Sequence, residues 1–366
     1  MSDRHLGRIA RAAEEAARLG LDALVLSPSA DLAYLTGYDP MPLPRPTMLV
    51  VRPGGAGPAM LVPELERPLA AASPVGDRIE LVAWRAGSNP YEAAASLLAG
   101  ASRIAVADRL WAVHLIGLRR ELPHAEVSSA TPVLGRLRAV KDDAELDALR
   151  RAARAADETF RRILGTTFQG RREEEVAADL ADLLVEHGHT EASFTIVGSG
   201  PNGASPHHEP GGRTILPRDA VVMDFGGELA GYFSDTTRTV AVGEPPDGFE
   251  QAYAVVQEAQ AAAVQAVRPG LRAEEVDRAA RAIVEAAGYG ERFIHRTGHG
   301  IGLELHEPPY MVEGDETVLE PGMTFSVEPG VYLEGRFGIR IEDIVVVTDV
   351  GADRLNRSTR DLQLVT

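Results

Sequence analysis

The chain has 366 residues, 45% apolar and 25% charged, with 54 acidic against 37 basic side chains and a formal charge of −17. So acidic a balance argues against nucleic-acid and anionic-membrane partners, which require clustered basic charge, and no uncharged apolar run approaches the roughly 18 residues of a membrane span. The absence of cysteine rules out disulfides, thiolate zinc sites and cysteine nucleophiles, and the length points to two domains.

The N-terminus, "MSDRHLGRIARAAEEAARLG", reads as a charged amphipathic helix without an apolar signal core, so the cytoplasm is the expected compartment. Short apolar stretches follow at 21–27, 47–53, 59–63, 79–84 and 103–108, with helical patterns between several of them. They predict a small α/β domain over residues 1–135. Prolines at 40, 42, 44 and 46 of "YDPMPLPRP" exclude a helix interior or a central strand and predict a stiff surface loop.

A second domain, 136–366, opens near "LRAVKDDAEL". There Asp142 and Glu145 form a capping-box pattern, and Leu146, Leu149, Ala153, Ala156, Phe160 and Ile163 mark one face of a helix. This domain repeats itself: "GRREEEVAADLADLLVEHG" (170–188) lies over "GLRAEEVDRAARAIVEAAG" (270–288) at an offset of 100, with six identical pairs from Gly170/Gly270 to Gly188/Gly288. Each unit follows a long helix and precedes a strand-rich segment, so the expected architecture is a duplicated helix–helix–hairpin.

Each half carries two acids in strand-like surroundings. In "VVMDFGGELAGYFSDTT" (221–237), Asp224 and Asp235 would lie opposite each other if the turn fell between Leu229 and Ala230. In "MTFSVEPGVYLEGRFGIRIEDIVVV" the midpoint between Glu328 and Glu342 falls on Gly335. Four converging carboxylates would repel one another and raise each other's pKa. Two divalent ions about 3.5–4 Å apart relieve the repulsion and form a recurring hydrolytic centre. Oxygen-rich ligation favours manganese, with cobalt, zinc or iron as alternatives. In "HRTGHGIGLELHEPP" (295–309), His299 sits between two glycines as a candidate fifth ligand, with His295 and His306 nearby. "SGPNGASPHHEPGG" (199–212) brings His207 and His208; it is either a solvent loop or the source of a donor to a substrate carbonyl or oxyanion.

In this order, "MDFGGELAGYFSDTTRT", "HRTGHGIGLELHE", "VEPGVY" and "IRIED" resemble the pita-bread metallopeptidases, in particular the Xaa-Pro dipeptidase (prolidase) and Xaa-Pro aminopeptidase group. The resemblance is strongest over residues 190–347. It implies an α+β chain: a pita-bread catalytic domain preceded by a smaller creatinase-like, RNase H-like α/β domain. It further implies Asp224 as a ligand of one metal, Asp235 and Glu342 as bridges, and His299 on the other metal. Glu328 would be both ligand and proton shuttle. His207 and His306 would contact substrate or the tetrahedral intermediate, with His295 on the substrate side and Arg340 steadying a carboxylate. A water between the metals would attack the carbonyl before proline, and Glu328 would pass its proton to the leaving nitrogen.

The first reading is therefore a two-metal exopeptidase for short Xaa-Pro peptides. The same ligands also allow a hydrolase or lyase of a small non-peptide substrate, because ligands report on chemistry more than on substrate. A non-catalytic binding domain on this fold would lack the intact ligand set. A homodimer is expected, with "YDPMPLPRP" reaching toward the partner's active site.

Overall fold

The computed structural model describes residues 2–54 and 57–366, and the chain divides into two compact units, Met1–Arg138 and Ala139–Thr366. Among the described residues no helix is long and apolar enough to cross a membrane.

In the N-terminal unit the helices are α1 (Ser2–Arg18), α2 (Ala30–Thr36), α3 (Arg67–Ala71), α4 (Pro90–Leu97), α5 (Ala112–Glu121) and α6 (Thr131–Ala139). The strands are β1 (Ala23–Leu26), β2 (Met48–Val51), β3 (Ala59–Pro63), β4 (Glu80–Trp84), β5 (Arg103–Val106) and β6 (Glu126–Ser129), in the order β4-β3-β2-β1-β5-β6. β1 and β2 are buried along their whole length, the continuous apolar run of strands covered on both faces. The edge strand β6 escaped the sequence reading. Its only apolar residue is the half-buried Val127, so it has no run to detect. Residues 38–46 form no regular element.

The C-terminal unit is built twice. Its first half has α7 (Asp143–Ile163) and α8 (Glu173–Glu186), followed by β7 (Glu191–Ser199), β8 (Ala220–Leu229), β9 (Tyr232–Phe233) and β10 (Thr236–Val242). The second half has α9 (Phe249–Ala266), α10 (Ala273–Ala286), and the strands β11 (Gly298–Gly300), β12 (Glu307–Met311), β13 (Thr324–Val327), β14 (Gly330–Leu333), β15 (Phe337–Arg340), β16 (Asp343–Val347) and β17 (Ala352–Arg354). The last strand, β18 (Gln363–Val365), returns to pair with β10. The sheets run β18-β10-β8-β7 and β12-β11-β13-β16-β17, with β14–β15 as a separate hairpin.

The internal repeat is visible residue by residue. α8 and α10 are both 14 residues long. In each, the glutamate at the third helical position accepts from the preceding arginine's backbone N–H, Glu175 from Arg172 at 2.7 Å and Glu275 from Arg272 at 2.9 Å. Each helix packs into its own core, one around Phe160, Leu180 and Met223, the other around Val256, Ala280 and Phe325. At the start of α7, Asp142 accepts from the backbone of Ala144 and Glu145 while Glu145 accepts from Asp142, a complete capping box.

The two hairpins treat their acids differently. In the first, Leu229 pairs with Tyr232 around Ala230 and Gly231, whose φ values of 53° and 84° match a type I′ turn. The turn thus falls one residue later than the sequence suggested. Asp224 faces Thr237, and Asp235, in the unpaired step between β9 and β10, does not face it. A slip of two residues preserves facing, so the two carboxylates still share a face. In the second hairpin, Val327 pairs with Asp343 and Gly330 with Arg340. Glu328 and Glu342 therefore stand opposite each other about Gly335, at the break between the β13–β16 and β14–β15 ladders.

Candidate metal centre

β8 explains how the chain keeps Asp224 inside. Successive strand residues alternate faces. Met223 and Phe225 enter the first-half core, which turns Asp224 to the other face. Asp235 belongs to the short unpaired step just before β10, where Ser234 Oγ lies 2.8 Å from His189 Nε2. His189 Nδ1 lies 3.1 Å from the Leu184 carbonyl. With the Nδ1 proton directed at that carbonyl, Nε2 accepts from Ser234, which pins the residue beside Asp235.

His299 sits on β11 between glycines that admit no side chain. A Cβ on Gly298 would stand 1.9 Å from the Ser326 carbonyl oxygen, and one on Gly300 would stand 2.4 Å from that of Pro308. Its Nδ1 lies 3.1 Å from the Gly300 carbonyl. This turns Nε2 toward Glu328 at 3.3 Å and Asp235 at 3.4 Å.

These pieces form three overlapping groups whose potential ligand atoms lie within 4.8 Å of one another: Asp224/Asp235/Glu342, His299/Glu328/Glu342 and Asp235/His299/His306. The first two share Glu342, as two neighbouring ions bridged by one carboxylate would require. Glu342 Oε1 is buried with no hydrogen-bond partner, an orphaned acceptor that a cation would satisfy. Every group in the set offers a lone pair, four of them on carboxylates, and the donor set fits hard divalent ions.

The electrostatics of the bare side chains point the same way. Burial, then the charges of Asp235, Glu328 and Asp224, pushes the Glu342 carboxyl well above its ordinary value. Asp235 is pushed up to about 7, first by burial, and Asp224 upward for the same leading reason. Burial also acts on Glu328, but His299, His295 and Arg340 outweigh it and hold that carboxyl low. Burial alone would depress His299, yet its carboxylate neighbours raise it.

Arg340 spans the set: it donates to Asp224 Oδ2 at 2.5 Å, to Thr237 Oγ1 at 3.0 Å, to Tyr332 Oη at 2.8 Å and to the Pro206 carbonyl at 3.3 Å. Thr237 Oγ1 in turn lies 2.9 Å from Asp224 Oδ1 and 2.7 Å from Glu342 Oε2. The Glu342 N–H donates to the Thr237 carbonyl at 3.1 Å, and Arg238 donates to the carbonyls of both residues and to Asp343 at 2.7 Å. Thr237, Tyr332 and Arg238 were not singled out from the sequence. For Arg238 a signal existed, since a charged residue inside "TTRTVAV" breaks an apolar strand as Asp224 does. Glu307, beside His306, forms a buried ion pair with Lys141 at 2.8 Å; nothing in the sequence links residues so far apart.

A cavity of about 830 Å³ opens onto these groups, with Phe194, Ile196, Ile294 and Leu305 as apolar lining and His207, His295, Arg296 and His306 as polar lining. His207 and His306 are exposed. The His306 ring lies 4.0 Å from that of His299; although its edge reaches solvent, the protein packed around the rest of the ring, then the charges of His299 and Arg296, lowers its pKa to about 4, which keeps it neutral at physiological pH. His295 has both nitrogens engaged, Nδ1 with the Arg296 carbonyl at 2.7 Å and Nε2 with Tyr332 Oη at 2.8 Å. His208 turns away to Glu173 at 2.8 Å.

Three buried carboxylates, one of them with an orphaned oxygen, a half-buried fourth and a histidine, all lining one cavity, define a candidate hydrolytic metal centre. Comparison with known proteins gives the family. Residues 147–349 match Metallopeptidase family M24 and residues 8–140 match the Creatinase/Prolidase N-terminal domain; the chain belongs to family M24. It is 46% identical over 363 residues to the probable dipeptidase PepE of Mycobacterium tuberculosis, covering 98% of this chain and 96% of that protein. It is 37% identical over 356 residues to the Xaa-Pro dipeptidase of Lactobacillus helveticus, covering 94% and 95%. The crystal structure of dipeptidase PepE from Mycobacterium ulcerans superposes with a TM-score of 0.96 at 44% identity, covering 100% of this chain and 98% of that one. The fold is thus the pita-bread catalytic domain with a creatinase-type N-terminal domain, and the chain is a metallopeptidase.

Proposed function

We propose that the protein is a two-metal Xaa-Pro dipeptidase that cleaves short proline-containing peptides. The observation that carries this reading is the convergence of Asp224, Asp235, His299, Glu328 and Glu342 around the orphaned Glu342 Oε1 at the base of one cavity. Asp224 would hold one ion, Asp235 and Glu342 both, and His299 with Glu328 the other; manganese suits so many oxygen donors. When bound, the ions supply Lewis acidity toward the peptide carbonyl and a water of lowered pKa.

The chain's own groups supply the rest. Glu328, held low in pKa and 3.0 Å from Ser326 Oγ, accepts a proton at its carboxylate and delivers it to the imino nitrogen of the leaving proline. His306, neutral near pH 7, presents an N–H to the carbonyl oxygen as charge develops there, and His207 faces the cavity from the opposite loop as a second donor. Arg340 opposes the upward pull of burial on Asp224 and holds its carboxylate in place. The apolar residues of the cavity, Phe194, Ile294 and Leu305 among them, exclude water and accept the pyrrolidine ring.

The test is hydrolysis of Ala-Pro, Ala-Pro-Ala and Ala-Ala by purified protein, stripped of metal and reloaded with Mn²⁺, Co²⁺ or Zn²⁺. Metal-dependent cleavage confined to Ala-Pro is the expected result. Cleavage of the tripeptide would shift the activity to an aminopeptidase, and survival of all three with metal bound would move the search to small non-peptide substrates. We further propose a cytoplasmic homodimer in which residues 38–46 of one subunit approach the cavity of the other. Light scattering showing only monomer at micromolar concentration would overturn the dimer.

A further inference from the structure

The loop that carries His207 is anchored by one buried side chain. Glu173, the first residue of α8, is fully buried. Its Oε1 accepts from the Ser199 N–H and the Ser199 hydroxyl, both at 2.7 Å. Its Oε2 accepts from Asn202 Nδ2 at 3.0 Å and from His208 Nε2 at 2.8 Å. Burial would raise this carboxyl, but its donors outweigh burial and hold it low, so His208 presents its Nε2 proton to an ionised acceptor. Between these anchors the loop makes a 3₁₀ turn, Gly200–Ala204. The turn lies backbone to backbone against β15, where a Cβ on Gly338 would collide with the Gly203 carbonyl oxygen. His207 therefore stands between two tethers: the Pro206 carbonyl before it accepts from Arg340 at 3.3 Å, and His208 after it is tied to Glu173. Its own ring lines the cavity, exposed.

We infer that Glu173 and His208 form a positioning pair for His207: their hydrogen bond fixes the backbone on one side of His207 and so aims its ring at the substrate. This rests on the role given to His207 above. A donor to a developing oxyanion lowers the barrier only when it is already aimed, because reorienting it during the reaction cancels the gain. An exposed ring with no packing around it depends for its aim on the backbone that carries it. The charge-assisted hydrogen bond to Glu173 is of the stronger kind, and it ends on a helix packed into the first-half core. Removing the His208 ring leaves Glu173 its donors from Ser199 and Asn202. The root of the loop thus stays in place while the His207 end is released.

The test measures Ala-Pro hydrolysis by the Mn²⁺-loaded wild type, His207→Ala, His208→Ala, His208→Gln and the double variant His207→Ala/His208→Ala, with bound metal counted in each. His207→Ala should lower kcat about 100-fold and His208→Ala about 10-fold, with KM and metal content close to those of the wild type. A glutamine can place an amide N–H near the position of Nε2, so His208→Gln should keep most of the wild-type kcat. In the His207→Ala background the His208→Ala change should cost nothing further, since the ring it aims is gone. Should His208→Ala fail to fold, His208→Asn, whose amide falls short of Glu173, takes its place. Wild-type kcat in His208→Ala, equal losses in His208→Ala and His208→Gln, additive losses in the double variant, or loss of metal from His208→Ala would each overturn the positioning role and leave the peptidase reading intact. Wild-type kcat in His207→Ala would remove that donor and this inference with it. A wild type that does not cleave Ala-Pro overturns the peptidase reading as well.

Discussion

The two halves of the C-terminal unit share a scaffold and divide the chemistry unevenly. α8 and α10 begin with the same arginine–glutamate cap and end before a glycine of positive φ, Gly188 at 109° and Gly288 at 83°. The hairpins that follow each contribute two acids to one cluster. Yet the first half offsets its acids by two residues and leaves Asp235 in an unpaired step, whereas the second opposes Glu328 and Glu342 and breaks its ladder there. The second half also brings His299, His306 and both arginines that line the cavity, Arg296 and Arg340. Duplication supplied a backbone that aims acids inward; the departures from it, a slipped turn and a glycine-flanked histidine, made the site asymmetric.

The asymmetry is tested first by removing one candidate bridging acid from each half. Asp235→Ala and Glu342→Ala should each lower kcat/KM at least about a thousandfold, several kcal/mol of transition-state stabilisation, and metal counting should show binding of the second ion impaired in both. Full activity of either variant under saturating metal would remove that half from the centre. A smaller loss is expected when the link between halves is cut. Arg340→Ala leaves Asp224 unsupported and should weaken metal binding about 10- to 100-fold by calorimetric titration; unchanged affinity would reduce Arg340 to packing.

Acidity separates the two kinds of ligand. Unfolded carboxyls titrate near pH 4, but folding raises Asp235 to about 7 and lifts Glu342 well above its ordinary value. Between about pH 4 and 7 the metal-free folded protein therefore holds protons that the unfolded chain has released, so its stability falls as pH rises through that window. Cations replace those protons. The rise in Tm on adding Mn²⁺ should be larger at pH 8 than at pH 5, and an equal rise at both would contradict the buried acids' role. The smallest effect tests the scaffold itself: Glu175→Ala and Glu275→Ala should each cost about 0.5–1 kcal/mol in denaturant unfolding. A marked difference between them would show that the caps are not equivalent.

Much of this was legible in the sequence because it follows local rules. The α7 capping box, the repeat at an offset of 100 and the register of Glu328 with Glu342 all follow from spacing and turn residues. The first hairpin's register was misplaced because "GGELAG" offers glycines at three positions, and only Ala230 and Gly231 adopt the left-handed conformation of the turn. What stayed hidden depends on residues brought together from afar. Thr237, Tyr332 and Arg238 become part of the site only when the β14–β15 hairpin comes to lie beside β10, and Arg296 is distinguished from Arg340 only by what surrounds it.

The proposed centre is one of two ions shared by acids from both halves. The most direct measurement is Ala-Pro hydrolysis by metal-stripped protein as Mn²⁺ is added stepwise, with bound metal counted at each step. Activity absent at the start and complete at two ions per chain is the predicted result. Full activity in stripped protein, or a plateau at a single ion that a second does not change, would contradict it.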